Sequence, residues 1–292
     1  MTTYYWDERI EYLIKTRKLY YNDDYLEFLV KSVLKIEAPV SIVDFGCGYG
    51  FLGLKLLQLL PKGSRYTGID IGEKLINKAK EIFKESPYDT NFINADVNEF
   101  AENNCFDIAV CHSLLLHLPE PRKVIKNMIQ CVKDNGRIIC FEPNWISSMA
   151  SIDIDSLNQS EIVKLGILQK LYENMAKYNG KDGNIGIKVP ALFHEMGIKN
   201  IECRVSDKVV FLNQQMNKDD KELLFNSLKE DGIGNKPENC NDFIKRLVKS
   251  GLPSDEAEEQ FISETLMAEL FTIDSTFTWA PTMKITYGVV EK

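Results

Sequence analysis

The sequence has no excess of basic charge: 35 Lys and Arg stand against 43 Asp and Glu, a formal net charge of −8. A protein that tracks nucleic-acid phosphates needs a basic face to displace counterions. None stands out locally, so no nucleic-acid partner is expected. Nor is there an uninterrupted apolar run, because the stretch from Val40 to Leu60 is broken by Asp44, several glycines and Lys55. A bilayer span needs about 20 apolar residues, so no membrane partner is expected. Asp7, Glu8, Arg9 and Glu11 follow closely on the first residue, which leaves no basic start with an apolar stretch behind it and no signal peptide. The seven cysteines, Cys47, Cys105, Cys111, Cys131, Cys140, Cys203 and Cys240, contain no C-x-x-C pair. An odd set fits buried thiols in a reducing cytoplasm better than disulfides or zinc. A cytoplasmic protein without a metal site is the expectation.

What is there is an ordinary folding composition: 292 residues, 44 % apolar and 27 % charged, too long for a minimal binding module. Short apolar strands alternate with amphipathic helices, the pattern of a parallel α/β sheet. Strands are expected at 41–45, 65–70, 92–96, 106–111 and 136–141. Between them Leu75, Ile76, Ala79, Ile82 and Phe83 keep helical spacing, as do Val124, Ile125, Met128, Ile129 and Val132 behind Pro121. The leucine-rich run 52–60 reads as core packing of the first crossover helix. Beyond Glu142 the rhythm changes. A helix is expected over about 157–177, a Gly-rich turn at 180–186, a short helix ending at Gly197, and strands at 201–205 and 284–290. The residues between 212 and 275 read as helices, Gly251 ending one and Ser254, Asp255 and Glu256 opening the next. Residues 4–33 are also helical in pattern and rich in Tyr. The expected division is an N-terminal helical lid (1–35), a core (36–212 with 276–292) and a helical insertion (213–275).

The first strand carries Asp44 near its end and runs into Gly46-Cys47-Gly48-Tyr49-Gly50 before a helix. A side chain in such a turn would keep a ligand off the backbone, and the amides that open the helix can hold a carboxylate or a phosphate. The loop alone leaves the ligand open. Gly48, Gly50 and Gly53 also satisfy the G-x-G-x-x-G of dinucleotide-binding proteins, although that shifted turn would place Asp44 and Gly46 inside a tight buried strand. Asp70 ends the second strand 20 residues past Gly50, where a carboxylate can accept from both hydroxyls of a ribose. Asp96 ends the third, offering a carboxylate to an exocyclic amine with apolar Val97 beside it. All three acids fall at carboxyl ends of adjacent strands, the edge where open α/β sheets bind ligands.

With these residues the chain resembles the class I S-adenosylmethionine-dependent methyltransferases. Their acid followed by G-x-G-x-G matches Asp44 to Gly50, their ribose-binding acid matches Asp70, and their adenine-contacting acid matches Asp96. The match covers about residues 40–145 well and the late strands loosely. The resemblance implies a Rossmann-like three-layer α/β sandwich, its seven-stranded sheet mostly parallel with an antiparallel last strand, plus the helical lid and insertion. It also implies S-adenosylmethionine as cofactor, held by Asp44, Gly46, Cys47, Gly48, Asp70, Ile71, Asp96 and Val97, with Cys111 and His112 approaching its amino group and sulfonium. After strand four Cys111-His112-Ser113-Leu114 stands where base-amine methyltransferases of the family have a Pro-Pro-aromatic tetrad. The paired glutamates of arginine methyltransferases are missing between Val110 and Pro119. A small-molecule acceptor is what remains.

Methyl transfer from a sulfonium is an in-line displacement that depends largely on alignment and exclusion of water. A hydroxyl or ammonium acceptor also needs a base, for which His117 is the first candidate and Glu142 the second. Tyr4, Tyr5 and Trp6 are available in the lid for cation-π contact with the sulfonium. Asp107, at the opposite end of its strand, reads as structural, and His194 has no assigned role. Two rival readings stand beside this one: an NAD-dependent oxidoreductase using Gly48, Gly50 and Gly53, and a cofactor-binding protein without catalysis.

Overall fold

Along the central strands alternate residues face opposite helical layers, and this period of two puts the sheet in the middle of the molecule. A computed structural model describes residues 4–155 and 157–292. The N-terminal segment contains α1 (Ile10–Thr16) and α2 (Asp23–Phe28). The core then alternates β1 (Ser41–Phe45), α3 (Phe51–Leu56), β2 (Arg65–Asp70), α4 (Glu73–Phe83), β3 (Asp89–Asn94), β4 (Phe106–His112), α5 (Pro121–Cys131) and β5 (Val132–Pro143). There follow α6 (Trp145–Met149), β6 (Ile152–Ile154), α7 (Gln159–Ile162), α8 (Leu165–Asn179), α9 (Val189–Glu195), β7 (Lys199–Val205) and β8 (Val210–Leu212). The chain closes with α10 (Lys218–Glu230), α11 (Cys240–Lys249), α12 (Ser254–Leu270), β9 (Phe277–Trp279) and β10 (Met283–Val289).

The main sheet has seven strands in the order β3-β2-β1-β4-β5-β10-β7. The first five are mutually parallel, and β10 runs antiparallel to both β5 and β7. This is the expected seven-stranded Rossmann-like sheet with its last strand reversed. Ile42, Ile108, Val110 and Ile139 face α3, α4 and the N-terminal segment in one apolar cluster. Val43, Ala109, Ile138 and Cys140 face α5 and α9 in another. Asp107 pins the strand ends remote from the site: Oδ2 accepts from Ser41 N at 2.8 Å and Oγ at 2.6 Å, and Oδ1 accepts from Lys133 at 2.7 Å.

Several boundaries differ from the sequence pattern. β3 pairs with β2 from Asp89 to Asn94, so Asp96 lies in the following loop rather than in the strand. Residues 4–33 form no continuous helix, because the backbone turns extended at Asn22 (ψ 149°), whose side chain is held by Asp207 at 2.6 Å. The helix expected at 157–177 breaks at Val163, which is extended and buried. A second sheet of order β6-β9-β8 encloses its own cluster with Leu228, Met267 and Phe271. Its strands have three residues each, too few for alternation to register. Within the insertion α11 and α12 pack on α8 through Phe243, Leu247 and Ile167, while α10 meets α1.

Candidate active site

The chain leaves β1 for β2 on one side and returns through β3 to β4 on the other. Strand order therefore reverses between β1 and β4, and the crevice outside the carboxyl ends at such a point is where open α/β sheets bind ligands. A cavity of about 300 Å³ opens there. Asp44, Gly46, Cys47, Gly48, Asp70, Ile71, Asp96, Val97 and His112 all line it. Cys111 does not: its side chain is fully buried and its thiol lies 3.6 Å from Glu142 Oε1, because successive residues of β4 point to opposite faces.

The turn after β1 is tied to the neighbouring strand, Gly46 N and Cys47 N both donating to Ile69 O at 2.8 and 2.9 Å. Gly46 has φ +71°, and a Cβ there would meet Leu114 at 2.7 Å; both the turn and the approach of Leu114 require glycine. The shifted dinucleotide turn does not form, since the strand ends at Phe45 and Gly46 already belongs to the turn. Gly53 lies inside α3, where its missing side chain makes room for the Tyr66 ring at 2.8 Å.

The three acids are held differently. Asp70 accepts from Gly48 N at 2.9 Å through one oxygen and from Gly72 N at 2.8 Å through the other. Burial raises its pKa against the lowering effect of those amides. Each oxygen keeps a lone pair for a ligand hydroxyl. Asp44 accepts from the Tyr66 hydroxyl, its Oδ1 has no partner, and burial pushes its carboxyl up to about 7. Asp96 turns its loop by accepting from Asn98 N at 2.8 Å. Ile71 is 48 % exposed at the rim, an apolar surface available to a flat ligand. His112 is packed between Tyr21 and Phe51, with Nε2 unpartnered, and burial holds its pKa well below the usual value. It is a neutral imidazole.

The N-terminal segment closes this cavity with Tyr4, Trp6, Leu13 and Arg17. Asp7 anchors it, accepting from Leu75 N at 3.1 Å in the first turn of α4. Tyr4 is raised to about 12 by burial and by Asp70, Asp7 and Asp96 nearby. Tyr5 is 59 % exposed and lines neither of the two cavities that meet here.

A second cavity of about 290 Å³ shares Trp6, Arg17, Ser113 and His117 with the first. His117 closes a short turn after β4, its ring 5.0 Å edge-on from Trp6. Burial, with Lys181 and Arg17 nearby, lowers its pKa to about 4. Glu142 lines neither cavity. It is fully buried, accepting from Leu114 N at 3.0 Å and Leu115 N at 2.9 Å, and burial raises its carboxyl to about 7. This geometry makes it the brace of the loop that carries His117 and removes it from contact with an acceptor. His194 is exposed on α9.

Sequence reasoning missed Arg17, the sole Lys or Arg lining either cavity among the described residues, and most of the second wall: Tyr20, Trp145, Tyr172, Asp231 and Trp279. One signal was available, since the chain has three tryptophans and all three line that cavity. Among the described residues no group of three or more His, Cys, Asp or Glu converges as a metal site, and no helix is long and apolar enough to cross a membrane.

A family model described as a methyltransferase domain matches residues 36–195, more than half of the chain. The chain belongs to that family, as a class I S-adenosylmethionine-dependent methyltransferase. It is 27 % identical over 170 residues to a ubiquinone biosynthesis O-methyltransferase of Rickettsia canadensis, a match covering 58 % of this chain and 64 % of that one. It is 33 % identical over 98 residues to the protein of the same name in Coxiella burnetii, covering 33 % and 41 %. The chain thus spans less than two thirds of the length of these relatives. In fold it is similar to a methyltransferase of Geobacter sulfurreducens solved with S-adenosylhomocysteine, with TM-score 0.52, 14 % identity and 100 % coverage of both chains.

Proposed function

We propose that the protein transfers a methyl group from S-adenosylmethionine to a small-molecule acceptor by in-line displacement. The observation that carries this reading is the shared wall: a cavity lined by the three strand-end acids meets a second, aromatic cavity at Trp6, Arg17, Ser113 and His117. The residues present fit the donor. Asp70 keeps acceptor capacity for ribose hydroxyls, Asp96 and Val97 suit an adenine edge and face, and Ile71 offers apolar cover. The unpartnered Oδ1 of Asp44 suits an ammonium, and Arg17 supplies the charge for a carboxylate. When bound, this cofactor supplies an activated methyl group.

The chain's own contribution is alignment, exclusion of water and one proton. His117 is uncharged at neutral pH because burial disfavours its cation, so an imidazole lone pair is free to receive a proton from an acceptor at the shared wall. Trp6 covers the junction and Tyr4 the donor side of it, which helps to keep water out. The names of the relatives speak of an O-methyl acceptor. However, eight of the sixteen residues lining the second cavity, Asp231 and Trp279 among them, lie outside the matched 36–195. Half of the wall that would meet the acceptor therefore lies outside the family match.

Calorimetry tests the donor half. S-Adenosylhomocysteine should bind, NAD should give no heat, and Asp70→Ala should weaken binding by about 1–3 kcal/mol through loss of its hydrogen bonds. Tight NAD binding without heat from S-adenosylhomocysteine would overturn the reading.

A further inference from the structure

The second cavity has a chemistry that the donor does not explain. Its wall is a chain of ring contacts passing through one carboxylate. The Trp6 ring lies 6.2 Å from Tyr12, the Tyr12 and Tyr20 hydroxyls donate to Asp231 at 3.5 and 3.0 Å, and Tyr20 meets Trp279 edge-on at 6.2 Å. Across the cavity Trp145 stands edge-on to Tyr172 at 5.4 Å. Gly183 makes room for Trp145, whose ring would come within 1.9 Å of a Cβ at that position.

Three features of this wall share one electrostatic sign. Aromatic faces carry negative quadrupole potential and attract cations within about 6 Å, most strongly for Trp. Asp231 directly follows the last residue of α10, at the negative end of that helix's dipole. The carboxylate itself is the third. No cation lies within ion-pair distance of Asp231 among the described residues. Burial consequently pushes its carboxyl up to about 7, the Tyr20 and Tyr12 hydroxyls and the more distant Arg17 only partly opposing this. A neutral acceptor would offer that carboxyl no counter-charge, whereas a cation in the cavity would favour its ionised form.

Resting on the reading that the acceptor occupies this cavity, we propose that it is an ammonium site, so that the acceptors are small amines held between the Trp and Tyr rings and Asp231, each giving up one N–H proton to His117 before its nitrogen lone pair takes the methyl group. Arg9 already stacks on the Tyr12 ring, 4.6 Å from its centroid, and Arg17 is the one Lys or Arg lining the same space among the described residues. It also lines the donor cavity, and a donor carboxylate beside it draws its charge away from Asp231. The volume of about 290 Å³ leaves room for a small amine.

The three tryptophans make the site its own reporter. The full chain is titrated, with and without S-adenosylhomocysteine, with choline and with its uncharged isostere 3,3-dimethylbutan-1-ol while tryptophan emission is followed. Choline is expected to change the emission saturably and to bind about tenfold or more tighter than the alcohol. Asp231→Asn and Trp145→Leu should each remove that preference while binding S-adenosylhomocysteine as the unaltered chain does. Equal affinity for the two probes, binding of neither, or a choline preference that survives both substitutions would overturn the ammonium site. Loss of S-adenosylhomocysteine binding by the unaltered chain would instead overturn the donor reading, so the two failures are told apart.

Discussion

The acids of the donor-side cavity sit on strand ends and the turns that follow them, whereas the second cavity is made by side chains that converge from the N-terminal segment, the middle of the chain and its last third. On the donor side Asp44 and Asp70 are set by the registers Asp44↔Gly68 and Asp70↔Asn94, and backbone amides hold Asp70 and turn the Asp96 loop. On the other side Trp6, Trp145, Asp231 and Trp279 come from segments joined mainly by tertiary contacts, among them Lys15–Glu230 at 3.0 Å and the Tyr hydroxyls on Asp231. A site built by backbone geometry can keep its ligand while the elements around it vary. A site built by convergent side chains can change its ligand without altering the sheet.

The sharpest way to separate the two halves is a pair of glycine substitutions. Gly46→Val forces a β-branched residue to φ +71° against Leu114, each fault costing about 1–3 kcal/mol. It should lower the unfolding temperature and abolish binding of S-adenosylhomocysteine. Gly183→Ala drives a methyl group into the Trp145 ring and should alter tryptophan emission while leaving that binding within about twofold of the unaltered chain. Equal effects of both on the donor would show that the cavities are one energetic unit.

The next largest effect concerns the shared wall. His117→Ala should lower turnover of a proton-bearing acceptor by about 100-fold, and His194→Ala, exposed on α9, should leave it unchanged. Similar rates for the two would take His117 out of the reaction.

A smaller effect follows from the brace behind that wall. The carboxyl of Glu142 is raised from its ordinary 4.5 to about 7 by burial. A raised carboxyl contributes stability that is complete below the unfolded value and is lost as pH rises through the folded one. Over about pH 5 to 7.5, the range between the unfolded and folded values, the unfolding temperature of the unaltered chain should fall more than that of Glu142→Gln. Parallel curves would mean that Glu142 does not change charge in this range.

The mildest expectation is dynamic. Amides of residues 4–33 should exchange more slowly when S-adenosylhomocysteine binds, because Tyr4, Trp6, Leu13 and Arg17 line its cavity. Those of α11 and α12 should be unaffected, since these helices pack on α8 away from both cavities. Slowing throughout 213–275 would show that the whole insertion closes over the site with the N-terminal segment.

The sequence by itself determined the parallel sheet, the turn at Gly46 and the three donor-side acids. Strand alternation, glycine spacing and strand-end position are local properties, and β1 and β4 each bury enough consecutive apolar residues to write them plainly. It misplaced the end of β3 by two residues, because pairing with β2 rather than hydrophobicity terminates that strand. Only the tertiary structure decided that Cys111 turns away from the cavity, that Glu142 braces a loop and that Asp231 joins Trp6, Trp145 and Trp279 around one space. The short strands β6, β8 and β9 leave no periodic trace, and the helical pattern of residues 4–33 does not show the break at Asn22. Convergence of side chains that far apart depends on how separate clusters pack, which no local pattern encodes.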